Sequence, residues 1–356
     1  MTIGVLKKKT LVALTEEITE GVPVEPTIGA EFIQVLEGIS NDPAKEVVER
    51  AIITPLKGQV QPRTSTKSSS GSLPLEWKSS GTEGAGDLET DVAYRALLGN
   101  AKQEILVRPV IEATSTASNF LITGHGLLKG DFLHVLEAGA HHMCFIKEVV
   151  DVDNFIIVPP MPSAPTAATE IALSTVYVAG DLEPTFTETI YWGDEIKEQI
   201  EGARISACSF ENIATGQTPT ASMSTQALNF TEIDGSAPVV PIYNDVLPPV
   251  ALSSIIAIDN DCIDMDELSF SVENAISDLT SVKKAFGKIA SRIADRTVTG
   301  SLNPYLDDAS TANFDKFENN TNFSVVVAMA NPSVVEGELE LGSCIGAFMP
   351  QCVFTA

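Results

Sequence analysis

Short runs in which apolar and polar residues alternate dominate the chain, and glycine, proline and serine clusters interrupt them. A period of two is what a half-buried strand requires, so the pattern predicts a mainly β protein. Residues 46–62 read as a strand carrying Val47, Val48, Ile52 and Ile53. Residues 61–71 (QPRTSTKSSSG) are small and polar and predict a long, mobile hairpin loop, with 73–80 (LPLEWKSS) as the returning strand. A glycine-rich turn at 81–86 leads into a helix over about 90–100, capped by Asp87 or Thr90 and stopped by Gly99 and Asn100. Residues 1–44, punctuated by Pro23 and Pro26, predict an extended arm with little regular structure.

Residues 113–180 change character. Short strands are predicted at 119–123, 131–137, 144–150, 154–158 and 175–178, and Pro159, Pro160, Pro162 and Pro165 punctuate the end of the run. This is the pattern of a small β-barrel or sandwich inserted into a parent fold. Parent-like strands resume at 184–192, a hairpin spans 203–213 and 218–232 across Gly216, and a proline-rich linker covers 237–249. Strands at 251–258, 267–274 and 292–306 follow, with a polar loop at 275–288. A short helix over 309–320, with Phe314 and Phe317 on one face, precedes strands at 323–330, 336–341 and 345–354. The order strand, polar loop, strand, short helix, strand thus occurs twice, at 46–111 and at 267–330. A fused duplication accounts for it, and so does chance similarity of two ordinary β layouts.

Charge narrows the function classes. Lys and Arg total 22 against 48 Asp and Glu, a formal charge of −26. A protein that grips nucleic acid needs cations to displace condensed counterions, and this chain cannot present a large basic surface. The acidity serves solubility or a surface that must not hold DNA, and charge alone does not choose. The five cysteines (Cys144, Cys208, Cys262, Cys344 and Cys352) are odd in number and far apart, which suggests reduced, mostly buried thiols in a cytosolic setting. No run approaches about 18 consecutive apolar residues, so no membrane span is expected. The lysines at 7–9 are soon followed by acidic residues, unlike a secretory signal.

No catalytic constellation emerges, and no catalytic, cofactor-binding or metal-binding residue is assigned. His125, His134, His141 and His142 all fall in the predicted insert. With Cys144 and Asp131 they offer metal ligands, but the spacing matches no standard site, and a polar turn beside a strand is the plainer reading. The acidic run 259–267 (DNDCIDMDE) lacks the glycine and ligand order of a calcium loop and reads as a tight turn between strands.

Several segments, in order, resemble the phage tail tube fold family. They are 11–17 (LVALTEE) with 24–27 (VEPT), 75–87 (LEWKSSGTEGAGD) with 94–99 (YRALLG), 202–210 (GARISACSF), 268–274 (LSFSVEN) and 296–308 (RTVTGSLNPYLDD). The resemblance covers nearly everything outside 113–180. It implies a tail-tube-type β-sandwich or half-barrel, here as two fused copies, each with a short helix, plus an inserted small β domain. The corresponding division is an N-terminal arm at 1–44, a first unit at 45–112 and 181–201, the insert at 113–180 and a second unit at 202–356. The family further implies a non-enzymatic virion protein of long-tailed bacteriophages, made in the host bacterial cytoplasm. Its rings stack into a tube with a negatively charged channel that DNA crosses without specific binding. Expected partners are further copies of the chain, in trimeric pseudo-hexameric rings with hexameric rings as the alternative, and tail terminator and tail tip proteins. The arm and polar loops are expected to order only on stacking, and the insert to lie outside the tube. The rival reading is a secreted or surface carbohydrate-binding β protein. Against it stand the absence of a recognisable signal peptide and an aromatic content of 6%.

Overall fold

The computed structural model describes residues 10–48, 63–84, 88–99, 102–112, 114–137, 140–166, 169–193, 195–252, 254–283, 287–305, 310–333 and 339–355. The chain opens with β1 (Thr10–Glu16), a short β2 (Phe32–Ile33), the hairpin β3 (Ser40–Val48) and β4 (Arg63–Glu76), and helix α1 (Asp91–Leu98). An inserted stretch carries β5 (Gln103–Ile105), β6 (Asn119–Leu121), β7 (Phe132–Glu137), β8 (Ala140–Val149), β9 (Asn154–Val158), β10 (Glu170–Ile171) and β11 (Ser174–Val176). The parent fold resumes with β12 (Phe186–Trp192), β13 (Ile196–Ala214), β14 (Thr220–Ala227) and β15 (Asn229–Asp234). The last part holds β16 (Ile255–Ile258), β17 (Asp261–Cys262), the hairpin β18 (Met265–Thr280) and β19 (Lys288–Pro304), helix α2 (Ser310–Glu318), β20 (Phe323–Met329) and β21 (Ile345–Cys352). The protein is mainly β, with a half-barrel sheet.

Two regions depart from the sequence reading. The segment read as an arm is built into the sheet from Thr10 onward. All seven residues of β1 pair with β12, and Val12, Ala13 and Leu14 are buried. The Glu17 carboxylate extends this attachment by accepting bonds from the Thr185 and Thr187 hydroxyls and the Gly202 amide. The two polar loops are largely strand. Residues 63–71 belong to β4, and β18 runs to Thr280 and β19 from Lys288, so 275–280 and 288 are strand rather than loop. Serine-rich sequence was legible as loop because it carries no apolar face. In a sheet with one side in water, those positions fill the wet face. Residues 49–62, within the predicted strand 46–62, lie outside the described residues.

The repeated order has a spatial counterpart. In the first half β12 lies between β1 and β13, and in the second β20 lies between β16 and β21, all antiparallel. Each half therefore runs strand, long hairpin, helix, central strand, partner strand. The counterpart of β20 is β12, not the predicted strand at 103–111, of which only Gln103–Ile105 forms a strand. The intervening sequence sits between α1 and β12, and its two ends meet at the helix terminus. The Gly180 amide donates to Leu98 O at 2.8 Å and the Leu182 amide to Gly99 O at 2.6 Å. Gly99 caps the helix at φ +69°, and an added Cβ would lie 2.6 Å from Leu182 O, so glycine is required there.

One main core lies between these three-stranded sheets and the hairpins. It takes Val12, Leu14 and Ile190 from the first half, Val325, Val327 and Met329 from the second, and Ala93, Ala96 and Leu97 from α1. The two halves also share a strand. The boundary expected at 201/202 falls inside β13, whose first part pairs with β12 and β15 and whose second part pairs with β14 and β18. The insert forms a five-stranded antiparallel sheet, β10-β7-β8-β9-β6, over its own core of Phe120, Leu133, Ile146, Phe155 and Ile157. Its other face, through Phe132, Met143 and Phe145, packs on Ala257, Val326, Ala328 and Phe348 of the second half. Both faces of β20 are thus covered, which explains its unbroken apolar run. α2 is less engaged, because Phe317 is 44% exposed.

Candidate functional site

Within the ten-stranded sheet, β3-β4-β14-β13-β18-β19 form a continuous antiparallel run of six strands. β13 enters it after a bend at Gly202, where φ is +64° and Leu228 would lie 2.8 Å from an added Cβ. β13 exchanges β15 for β14 between Glu201 and Arg204, and a register shift between Ile205 and Ala207 follows within its pairing with β14.

The two faces of this sheet differ in chemistry. The inner face presents Leu73, Leu75, Ala221, Met223, Cys208, Leu268 and Val272 to the main core. Trp77, Phe210 and Phe270 form an aromatic group there, with centroids of 4.9 Å and 4.5 Å for the Trp77–Phe210 and Phe210–Phe270 pairs. Offset and edge contacts of this kind add about 0.5–1.5 kcal/mol each beyond area burial. Alternation places the intervening residues in water. One row runs Ser40, Ser72, Ser224, Ala207, Glu273, Thr297, and the next Pro74, Ser222, Ser209, Ser271, Thr299. Ser271 and Thr299 join their hydroxyls at 3.0 Å. The same face carries Asp42, Glu76, Glu211, Glu267, Glu273 and Asp295. Over 40–42, 70–76, 207–211, 220–226, 267–275 and 295–303 its outward positions include no lysine or arginine.

Both edges are open: among the described residues no strand pairs with the outer side of β3 or of β19. Residues 42–48 of β3 are exposed throughout. Beside β19, a cavity of about 980 Å³ is lined by Trp77, Leu97, Phe270, Val298, Phe348 and Phe354, among others.

The histidines do not assemble a metal centre. His134 is 3% exposed, and its Nε2 lies 2.9 Å from Nδ1 of His141. Its Nδ1 lies 3.4 Å from Cys344 Sγ, and the Leu339 amide donates to His141 Nδ1 at 3.4 Å. Burial, reinforced by His141, pushes His134 down to about 4, and burial raises Cys344 to about 12. The result is a polar link between the insert and the segment before β21. Among the described residues no group of three or more His, Cys, Asp or Glu is arranged to hold a metal. In the acidic run, Asp259 occupies the turn between β16 and β17 at φ +56°. Its carboxylate accepts from the Ser324 amide at 2.9 Å and pairs with Lys316 at 2.8 Å, the arrangement of an anchored turn. Among the described residues no helix is long and apolar enough to cross a membrane.

The sequence leads to an acidic wall built on the hairpins 46–80 and 267–306, but the composition of the face was not legible, because its residues come from six strands, β13 and β14 among them. Its local trace is visible in hindsight, as serine, threonine or acid at most alternate positions of 70–76, 220–226 and 267–273, with Pro74 and Gln226 as the exceptions. No curated protein matches the chain. Residues 7–336 match the family model described as phage tail tube protein, and the chain belongs to that family, as a structural component of the virion tail that self-assembles into a tube.

Proposed function

We propose that the chain forms three-membered rings in which two fused tube units per chain approximate six-fold symmetry, and that the acidic face of the six-stranded sheet lines the channel. The observation that carries this reading is the outward face itself, dense in hydroxyls and carboxylates and free of cations along the rows named above. Such a wall repels phosphate evenly, and salt screens that repulsion over about 10 Å at moderate ionic strength, so DNA passes without a binding register. The repeated strand–hairpin–helix–strand–strand order supports two units per chain. At about 4.8 Å between strands tilted by roughly 40°, three such sheets close a wall of about 36 Å diameter between backbones, and six about 72 Å.

The layering supports an external insert. The acidic face, the main core, the β16-β20-β21 sheet and the insert follow one another outward. Ring stacking, contacts to terminator and tip proteins, DNA ejection and synthesis in the host cytoplasm complete the reading. Negative-stain microscopy of the purified protein tests it: tubes or rings are expected, and monomers at all concentrations would contradict it. In tubes, the triple substitution Glu211→Lys, Glu267→Lys, Glu273→Lys is expected to retain DNA that the parent tube does not.

A further inference from the structure

We infer that the single chain guards part of the β19 edge with its own carboxylates. Glu20 and Glu183, held by Arg204, and Asp295 occupy backbone amides between 291 and 296 and keep a strand of another molecule from adding there. The guard protects the free chain against fibrillar aggregation, and it does not depend on the ring or channel reading.

An edge strand turns alternate amides and carbonyls away from its partner, and that bare row is a template for another chain. On β19 three amides are already taken by side chains. The Ser291 amide donates to Glu20 Oε1 at 2.6 Å, the Ile293 amide to Glu183 Oε2 at 3.3 Å and the Arg296 amide to Asp295 Oδ1 at 2.8 Å. Between the second and the third, a register shift leaves Ala294 with no opposite residue on β18, which accounts for a step of three rather than two. The Ser291 carbonyl is taken as well, by Arg204 Nη2 at 3.0 Å. Donor and acceptor of one residue are thus both satisfied by side chains, as a neighbouring strand would satisfy them.

The carboxylates are fixed rather than adrift. Glu20 follows β1 and Glu183 precedes β12, and Arg204 of β13 lies 3.5 Å from each with a side chain 1% exposed. Arg204 is itself pinned, Nε on Ser291 Oγ at 2.7 Å and Nη1 on Glu183 O at 2.8 Å. A guanidinium buried this completely is costly without its anions, so it holds both in place. The stretch needs a guard, because Ile289 and Leu279 are each 46% exposed beside it and Val282 is fully exposed. β3, the other free edge, is protected by different means: Pro43, the register shift between Lys45 and Val47, and the charges of Asp42, Lys45 and Glu46. β19 has no proline before Pro304 and relies on carboxylates and a bulge.

Residue-resolved amide hydrogen exchange of the purified chain tests this. Glu20→Ala is expected to speed exchange at Ser291 by about ten-fold or more and to leave Ile293 near its parent rate, and Glu183→Ala to do the reverse. Each change leaves Arg204 one carboxylate. General destabilisation would speed both amides together, along with core amides such as that of Val326, so the crossed pattern belongs to the guard. Glu20→Gln and Glu183→Gln keep an acceptor oxygen and are expected to exchange close to the parent. Asp295→Ala, outside the Arg204 pairs, repeats the test at the Arg296 amide should either alanine variant fail to fold. Incubated below the melting temperature, the alanine variants are expected to form thioflavin-binding fibrils several-fold faster than Glu37→Ala, which removes the same charge at an exposed site. Unchanged exchange at the three amides, or fibril growth no faster than in Glu37→Ala, would overturn the inference.

Discussion

Two sheets of the same topology, β1-β12-β13 in the first half and β16-β20-β21 in the second, have their outer faces sealed by different means. The first is sealed largely by polar chain. Thr187 on β12 bonds Glu17 and the Val24 amide, and Glu25 bonds Lys197 and Gln199 of β13. Only a small apolar group, Ala13, Phe32 and Tyr191, meets Val239 and Tyr243 of the 237–243 strap. The second is sealed by a folded module, through Phe132, Met143 and Phe145 on Ala257, Val326 and Ala328, with Phe145 and Phe348 stacked at 5.5 Å. The difference teaches that the insert is the cover of the second sheet. Its ends meet at Gly99 like those of an added module, but its removal uncovers an apolar face.

The largest effect should follow from breaking that cover. Replacing residues 100–179 by a short Gly-Ser bridge is expected to abolish soluble folding or to leave a chain that binds hydrophobic dyes. Phe145→Ala, in the intact chain, is expected to cost about 3–5 kcal/mol in urea unfolding. An excised chain that melts cooperatively and assembles would show that the second sheet does not need the insert.

A smaller effect separates the halves by pH. Glu188 of β12 is fully buried in the first half, where the Thr225 hydroxyl is a marginal partner that fails strict hydrogen-bond geometry. Burial raises it from 4.5 to about 8. The folded chain then keeps a proton that the unfolded chain has lost between these values, so stability is greatest below pH 4.5 and falls as pH rises through 8. Glu188→Gln is expected to gain on the order of 2–4 kcal/mol at pH 9 and little at pH 4.5, read from urea midpoints at each pH. A gain independent of pH would contradict the buried, protonated acid.

The smallest effect has the opposite sign and belongs to the insert's junction. His134, lowered from 6.5 to about 4, stays neutral in the fold while the unfolded chain protonates. Its contribution is present above pH 6.5 and is lost as pH falls through 4. His134→Gln is expected to reduce the stability lost between pH 7 and pH 4 by on the order of 1 kcal/mol. An unchanged acid limb would place the acid sensitivity elsewhere.

Much of the fold was legible in local pattern. The helix Asp91–Leu98 follows from Ala93, Tyr94, Ala96 and Leu97 on one face and Gly99 after them. β9 was bounded correctly at Asn154–Val158 by its apolar run and the prolines that follow. What failed was long-range. Thr10–Glu16 looked like an arm because its partner, β12, lies about 170 residues away. The serine run of β4 looked like loop because its support comes from β14, beyond the insert. The acidic face and the repeated sheets are properties of pairing across strands, which no single window contains.

Cryo-electron microscopy of the assembled tube tests the central claim most directly. The account predicts three chains per ring, each giving the strands β3-β4-β14-β13-β18-β19 to one wall, with Glu211, Glu267 and Glu273 facing the channel and the insert outside. Six chains per ring, or a channel faced by lysine and arginine, would contradict it.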